Sequence, residues 1–271
     1  MHSVMGADKS LFLKTAVPEI FVIPGGSWES PSGTLGYFVS EEKEVRQVDT
    51  SHVSQSLASR IKGLDLDLRL PLGFLVNSEK VTLIDVPYYS DVLADRIRSL
   101  VSKELLIIFT HYDFLAVAEV GKWRSAFEDV RIVAHSADVK ALEDLGGTVD
   151  VERLEGLGPW DTGDYKIFMA AGHTEGSLIV SSESLSTSFG GDSAGCWEGK
   201  ITGFPHMARF SCLAQAESLR SFADKAPFYQ HWFPGHGRPM HFEDLEDRSK
   251  KLHQVANELE EASESGEATA P

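Results

Sequence analysis

The chain has 271 residues, 42% of them hydrophobic and 24% charged, a composition that supports a globular protein with a full core. Its net charge of -16 repels phosphate backbones at long range and argues against a nucleic-acid partner, and no run approaches the ~20 apolar residues of a membrane span. Two cysteines, Cys196 and Cys212, are too few for a disulfide framework and form no Cys-x-x-Cys pair. The opening residues lack the pattern of a secretion signal. The expectation is a cytoplasmic protein, or one of an organellar stroma where a transit peptide is missing.

The first quarter reads as sheet without long helices. "EIFVI", "LGYFV", "GFLVN" and "VTLIDV" are strand-like runs separated by "PGG", "SPSG" and "NSEK" turns. The segment "PGGSWESPSGTLGY" is expected to form a hairpin carrying Trp28 at its tip. From Tyr88 the rhythm becomes alternation: the amphipathic "SDVLADRIRSLV", the buried-strand run "ELLIIF", a helical stretch reaching Phe127, and the strand "VRIVA". That order suggests parallel strands with helical crossovers. "SADVKALEDLG" reads as a helix with a Ser cap and a glycine stop. Short strands return in "YKIFMAA", "SLIVSS" and "STSFGG". The helix "CLAQAESLRSFADK", the strand "YQHWF" and a last helix from about Phe242 to Glu261 follow. Residues 1–16 are read as an N-terminal extension, 17–262 as one α/β domain and 263–271 as an acidic tail.

Polar residues that follow apolar strands are where a metal site gathers in such sheets. Four places qualify. "LLIIFTHYDF" offers His111 and Asp113, and residues two apart can point the same way and chelate one ion. "FMAAGHTEGS" places His173 between glycine and a turn, "STSFGGDSAG" places Asp192 in a Gly-rich turn, and "YQHWFPGHGRPM" brackets His236 with glycines. A single histidine of this kind is more often a hydrogen-bonded loop residue than a ligand. Their joint occurrence, each at the end of the preceding element, carries the case.

These stations resemble the metallo-beta-lactamase-fold superfamily, whose ligands run His-x-His-x-Asp-His, then Gly-His-Thr, Gly-Asp and a late Gly-His. Here "THYDFLA", "GHTEGS", "GGDSAG" and "PGHG" are separated by 62, 19 and 44 residues. Asp85 in "VTLIDVP" is similar to the family's early, mainly structural Asp. The resemblance spans Glu19 to Met240 and implies an α/β fold, a four-layer αββα sandwich of two mixed sheets flanked by helices. "THYD", "VGKW", "RIVAH" and "LEGLGPW" also resemble a group of plant, algal and cyanobacterial lactamase-like proteins, some fused to a ferredoxin-like domain; none is visible in these 271 residues.

The first motif departs from the pattern. Asp113 stands at the second His, and Leu115 and Ala116 replace the Asp and the final His. The resemblance therefore implies one divalent ion held by His111, Asp113, His173 and Asp192, while the second metal position keeps only Asp192 and His236. Mixed N/O ligation suits zinc, iron or manganese and does not choose among them; zinc is the expected ion, with iron or manganese as alternatives. The implied activity is a metal-dependent hydrolase of a small ester, thioester or related substrate. Asp192 and His236 would have catalytic roles, His236 as a proton-handling group. Trp28, Tyr88 and His206 are the residues expected to meet substrate, although Trp28 and Tyr88 read equally well as turn and helix-start packing, and His206 as an exposed loop residue. The rivals are a mononuclear non-haem iron oxidoreductase of the persulfide-dioxygenase kind and a non-catalytic binding or scaffold descendant of the fold. A small-molecule substrate is expected, a nucleic acid and a membrane are not, and a homodimer is left open. His135 reads first as a helix-capping neighbour, His231 as a core histidine, and Glu119 as too far round its helix to ligate.

Overall fold

The computed structural model describes residues 13–14, 17, 20–22, 74–77, 81–87, 89, 91–100, 104–113, 115–146, 150–197, 199–236 and 239–266. The "PGGSWESPSGTLGY" hairpin, the "LGYFV" strand, Trp28 and Tyr88 lie outside the described residues. The chain forms two compact units. One takes the described residues of Met1–Ile108, Leu115–Ile132 and Gly146–Val149, and the other those of Phe109–Phe114, Val133–Leu145 and Asp150–Pro271.

In the first unit β1 (Leu13–Lys14), β2 (Ile20–Val22), β3 (Phe74–Asn77) and β4 (Val81–Ile84) pair antiparallel in chain order. Helix α1 (Asp91–Arg98) then carries the chain over to β5 (Leu105–Ile108), which runs parallel to β4 with Val81 opposite Leu105. Both strands are buried along their whole length, as two-sided cover of a parallel pair requires. Asp85 ends β4 with φ +56°, a left-handed conformation that Asp tolerates better than most residues, and its N–H donates to Ile108 O at 2.9 Å. The helical stretch expected before Phe127 is a 3-10 segment, Leu115–Glu119, running into the short α2 (Val120–Ser125). Trp123 on α2 is fully buried and donates from Nε1 to Pro87 O at 2.8 Å.

Strand β6 (Val130–His135) begins in the first unit and ends in the second, where β7 (Val151–Leu154) is its neighbour. Helix α3 (Ser136–Gly146) follows β6 directly. His135 Nδ1 accepts from Ala137 N at 3.3 Å and Nε2 lies 2.9 Å from Gly156 O, so His135 and not Ser136 caps α3. The second unit's main sheet has β8 (Trp160–Asp161), β9 (Lys166–Met169), β10 (Leu178–Ser182), β11 (Thr187–Gly191), then β14 (His231–Pro234) and β15 (Met240–His241). All neighbours are antiparallel except β11 and β14, which are parallel because α4 (Cys212–Lys225) crosses between them. A two-stranded ribbon, β12 (Gly195–Trp197) with β13 (Lys200–Thr202), precedes that crossover.

Helix α4 starts where Ser211 Oγ accepts from Ala214 N at 3.2 Å, and α5 (Leu245–Ser265) where Asp244 Oδ1 accepts from Asp247 N at 2.8 Å. Gly266, at φ +76°, closes α5. The two helices pack on the sheet around Ile179, Leu219, Phe222, Trp232, Leu252 and Leu259, all within 2% of complete burial. Burying one such side chain contributes about 1.5–3 kcal/mol, so this cluster is the stable floor under the loops at the strand ends. Among the described residues no helix is long and apolar enough to cross a membrane.

Candidate metal centre

The second unit gathers the ends of its strands into one polar cluster. His111 arrives just after β5, where Phe109 N is tied to Val133 O at 2.9 Å and Thr110 O accepts from Leu178 N at 2.7 Å. The Thr110 hydroxyl lies 2.8 Å from His111 Nδ1, which directs Nε2 inward. His173 sits in the loop between β9 and β10, Asp192 follows β11, and His236 follows β14. All four residues are at least 95% buried.

Their nitrogens converge on one oxygen. Asp192 Oδ2 is 3.2 Å from His236 Nε2, 3.5 Å from His173 Nε2 and 3.8 Å from His111 Nε2. The His111 and His173 rings meet edge to face, with centroids 4.8 Å apart. Neither ring nitrogen of His173 has a hydrogen-bond partner. Burial pushes the Asp192 carboxyl up, but the three imidazoles, His236 foremost, pull harder the other way and hold it well below the usual carboxylate range. Burial lowers His111 to about 4 against the opposing pull of Asp192. At ordinary pH its imidazole is therefore neutral, the form that ligates a metal.

His111, His173 and Asp192 present donor atoms that all lie within 4.8 Å of one another. Two imidazoles and a carboxylate, desolvated and incompletely hydrogen-bonded, fit a divalent cation: the ion would offset the cost of leaving such groups buried. Asp113 and His236 stand at the edge of this trio, Asp113 Oδ2 being 3.8 Å from His173 Nε2. His206 is exposed on a 3-10 turn, Pro205–Met207. His231 is half-buried at the start of β14 and so is no core histidine. Glu119 pairs with Lys122 at 2.9 Å.

Backbone freedom shapes the cradle at two glycines. Gly191 has φ +49°, and a Cβ there would lie 2.4 Å from Thr110 Oγ1. A Cβ at Gly235 would lie 2.1 Å from Asp192 Oδ1 and close to the Gly191 backbone. The Gly-Asp and Gly-His spacings read from the sequence thus have a steric cause.

Three supporting residues escaped the sequence reading. Asp138, buried in the first turn of α3, accepts from Thr174 Oγ1 at 2.6 Å and from Gly176 N at 2.9 Å, fixing the turn that follows His173. Gln215 on α4 donates from Nε2 to Asp192 O at 3.2 Å and Ser193 O at 2.8 Å. Arg209 donates from Nε to Asp113 Oδ2 at 2.7 Å. An Asp in a helix's first turn reads as an ordinary dipole partner, and no local pattern ties it to a loop 36 residues away. Replacing Asp138 with Ala is expected to weaken metal binding by about 10-fold while the fold persists, a change read by metal titration against circular dichroism.

No family profile and no curated protein matches the sequence. Solved structures do. The chain is similar to VMB-1, at 17% identity over 94% of this chain and 99% of that one, with a TM-score of 0.62. It is similar to the metallo-beta-lactamase from Hirschia baltica, at 12% identity over 89% and 96%, TM-score 0.58. A third likeness is to TTHA1623, solved in a di-iron-bound form, at 20% identity over 66% and 92%, TM-score 0.51. The fold is that of the metallo-beta-lactamases, as the order of the four stations implied.

Proposed function

We propose that this chain, having the metallo-beta-lactamase fold, is a metal-dependent hydrolase holding one divalent ion and acting on a small ester, thioester or related substrate. The observation that carries the reading is the convergence of three buried imidazole nitrogens on one buried carboxylate oxygen. His111, His173 and Asp192 would hold the ion. When bound, it supplies Lewis-acid polarisation of an acyl oxygen and acidifies water. Asp192 Oδ2, 3.5 Å from His173 Nε2 and 3.8 Å from His111 Nε2, would orient the two imidazoles. His236, whose Nε2 lies 3.2 Å from Asp192 Oδ2, would take and return a proton. Thr110 accepts from His111 Nδ1–H when Nε2 serves as the ligand.

Two histidines and one carboxylate also form the donor set of non-haem iron centres, and TTHA1623 holds a di-iron pair. Elemental analysis of protein purified without added metal, beside His173→Ala, separates the readings. About one equivalent of zinc or manganese, lost in the variant, is the result expected for the hydrolase. Iron would turn the reading toward oxygen chemistry. No metal, with none taken up on titration, would leave a binding or scaffold protein.

A further inference from the structure

Asp113 differs from the other candidate ligands in having a cation of its own. Arg209 Nε donates to its Oδ2 at 2.7 Å, and that same oxygen is the one lying 3.8 Å from His173 Nε2. The backbone that carries this side chain is fixed. Arg209 N donates to His173 O at 2.7 Å, and the next two amides donate to Gly172 O at 3.3 and 2.9 Å, so Arg209 and His173 are fastened to one junction. Asp113 is one-third exposed, whereas His111, His173 and Asp192 are buried, and it is not part of the trio whose donor atoms cluster. Arginine stays charged at every accessible pH, so the cation beside Asp113 is permanent.

The oxygen nearest His173 is the one the guanidinium takes, so Asp113 could reach the ion only by turning Oδ1 inward or by releasing Arg209, and closing it onto the ion would also bring two cations together. We infer that Arg209 competes with the metal ion for Asp113 and holds that carboxylate out of the ion's ligand set. The inference rests on the metal reading above and deepens it. Arg209 becomes a positioning residue: it keeps a coordination position open where the sequence offers a fourth protein ligand.

Zinc titration of the full chain, followed by calorimetry, tests this with wild type, Asp113→Asn, Arg209→Met, the double variant, and His173→Ala as reference. Asp113→Asn is expected to bind zinc within about 3-fold of wild type, and Arg209→Met about 10-fold tighter as the freed carboxylate joins the ion. The double variant separates ligation from charge. If Asp113 ligates once released, the gain vanishes in the double variant. If Arg209 merely repels the ion, the gain survives there, and the inference fails. Asp113→Asn binding as weakly as His173→Ala would also overturn it, as would Arg209→Met binding like wild type. Arg209→Lys, which keeps the cation, is expected to stay near wild type, and circular dichroism confirms folding of each variant. Zinc bound by Arg209→Met alone would overturn the reading that His111, His173 and Asp192 suffice to hold the ion, and this inference with it. Zinc bound by none would end both the metal reading and this one, whereas zinc bound equally by wild type and Arg209→Met ends only this one.

Discussion

Asp192→Ala is expected to lower metal affinity at least about 100-fold, the largest effect of any single change at the site. Among the described residues the side chain is the one anion fully buried among the histidines, and His111, His173 and His236 all approach its Oδ2. Removing it takes away a ligand and also the negative charge that offsets a divalent ion in a desolvated site. Metal-free stability should change much less, because burying that carboxylate is itself costly. The two consequences are separable in thermal melts. Wild-type protein should gain melting temperature with added zinc by mass action, and the variant should not. A variant whose melting temperature still rises with zinc would show that the ion sits elsewhere.

Arg248→Met is expected to destabilise the second unit by about 3 kcal/mol or more without touching metal affinity. Arg248 has no exposed surface, and it enters from the first turn of α5 beneath the end of α4. Its Nη2 donates to Ala223 O at 3.0 Å and Ala226 O at 2.9 Å, its Nη1 donates to Pro227 O, and its guanidinium lies 5.3 Å from the Phe222 ring centroid. These carbonyls end α4, where the helix dipole favours a cation. Methionine would fill the volume but leave the three acceptors buried without donors. Arg248→Lys should recover only part of the loss, since a single ammonium cannot span the fork. Equilibrium urea unfolding reads the effect; a midpoint within error of wild type would refute this account.

What the sequence disclosed and what it hid divide by distance along the chain. Helix α4 lies where "CLAQAESLRSFADK" was read, because Ser211 before it and Pro227 after it are local signals. The candidate ligands His111, His173 and Asp192 were legible for a related reason, each being a polar residue shortly after an apolar strand. The far end of α5 was not. Acidic, small residues suggested a tail from residue 263, but Leu259 and Ala262 continue the helix's buried stripe and Gly266 supplies the stop. The role of Asp113 was hidden because its partner is 96 residues away, and that of Asp138 because nothing adjacent to it speaks of a loop.

The crowding at Gly191 and Gly235 has a consequence for how the protein can drift under mutation. A library sampled for variants that keep the centre intact should find these two positions as closed to change as the histidines, although neither carries a functional group. Even alanine at position 235 would press on the Asp192 carboxylate, so the loops cannot move aside without releasing it. The surrounding chain is then free to diversify only around a fixed pair of hydrogen atoms. That gives one physical reason why a centre of this geometry can keep its spacing while the sequence around it drifts far from those of similar folds.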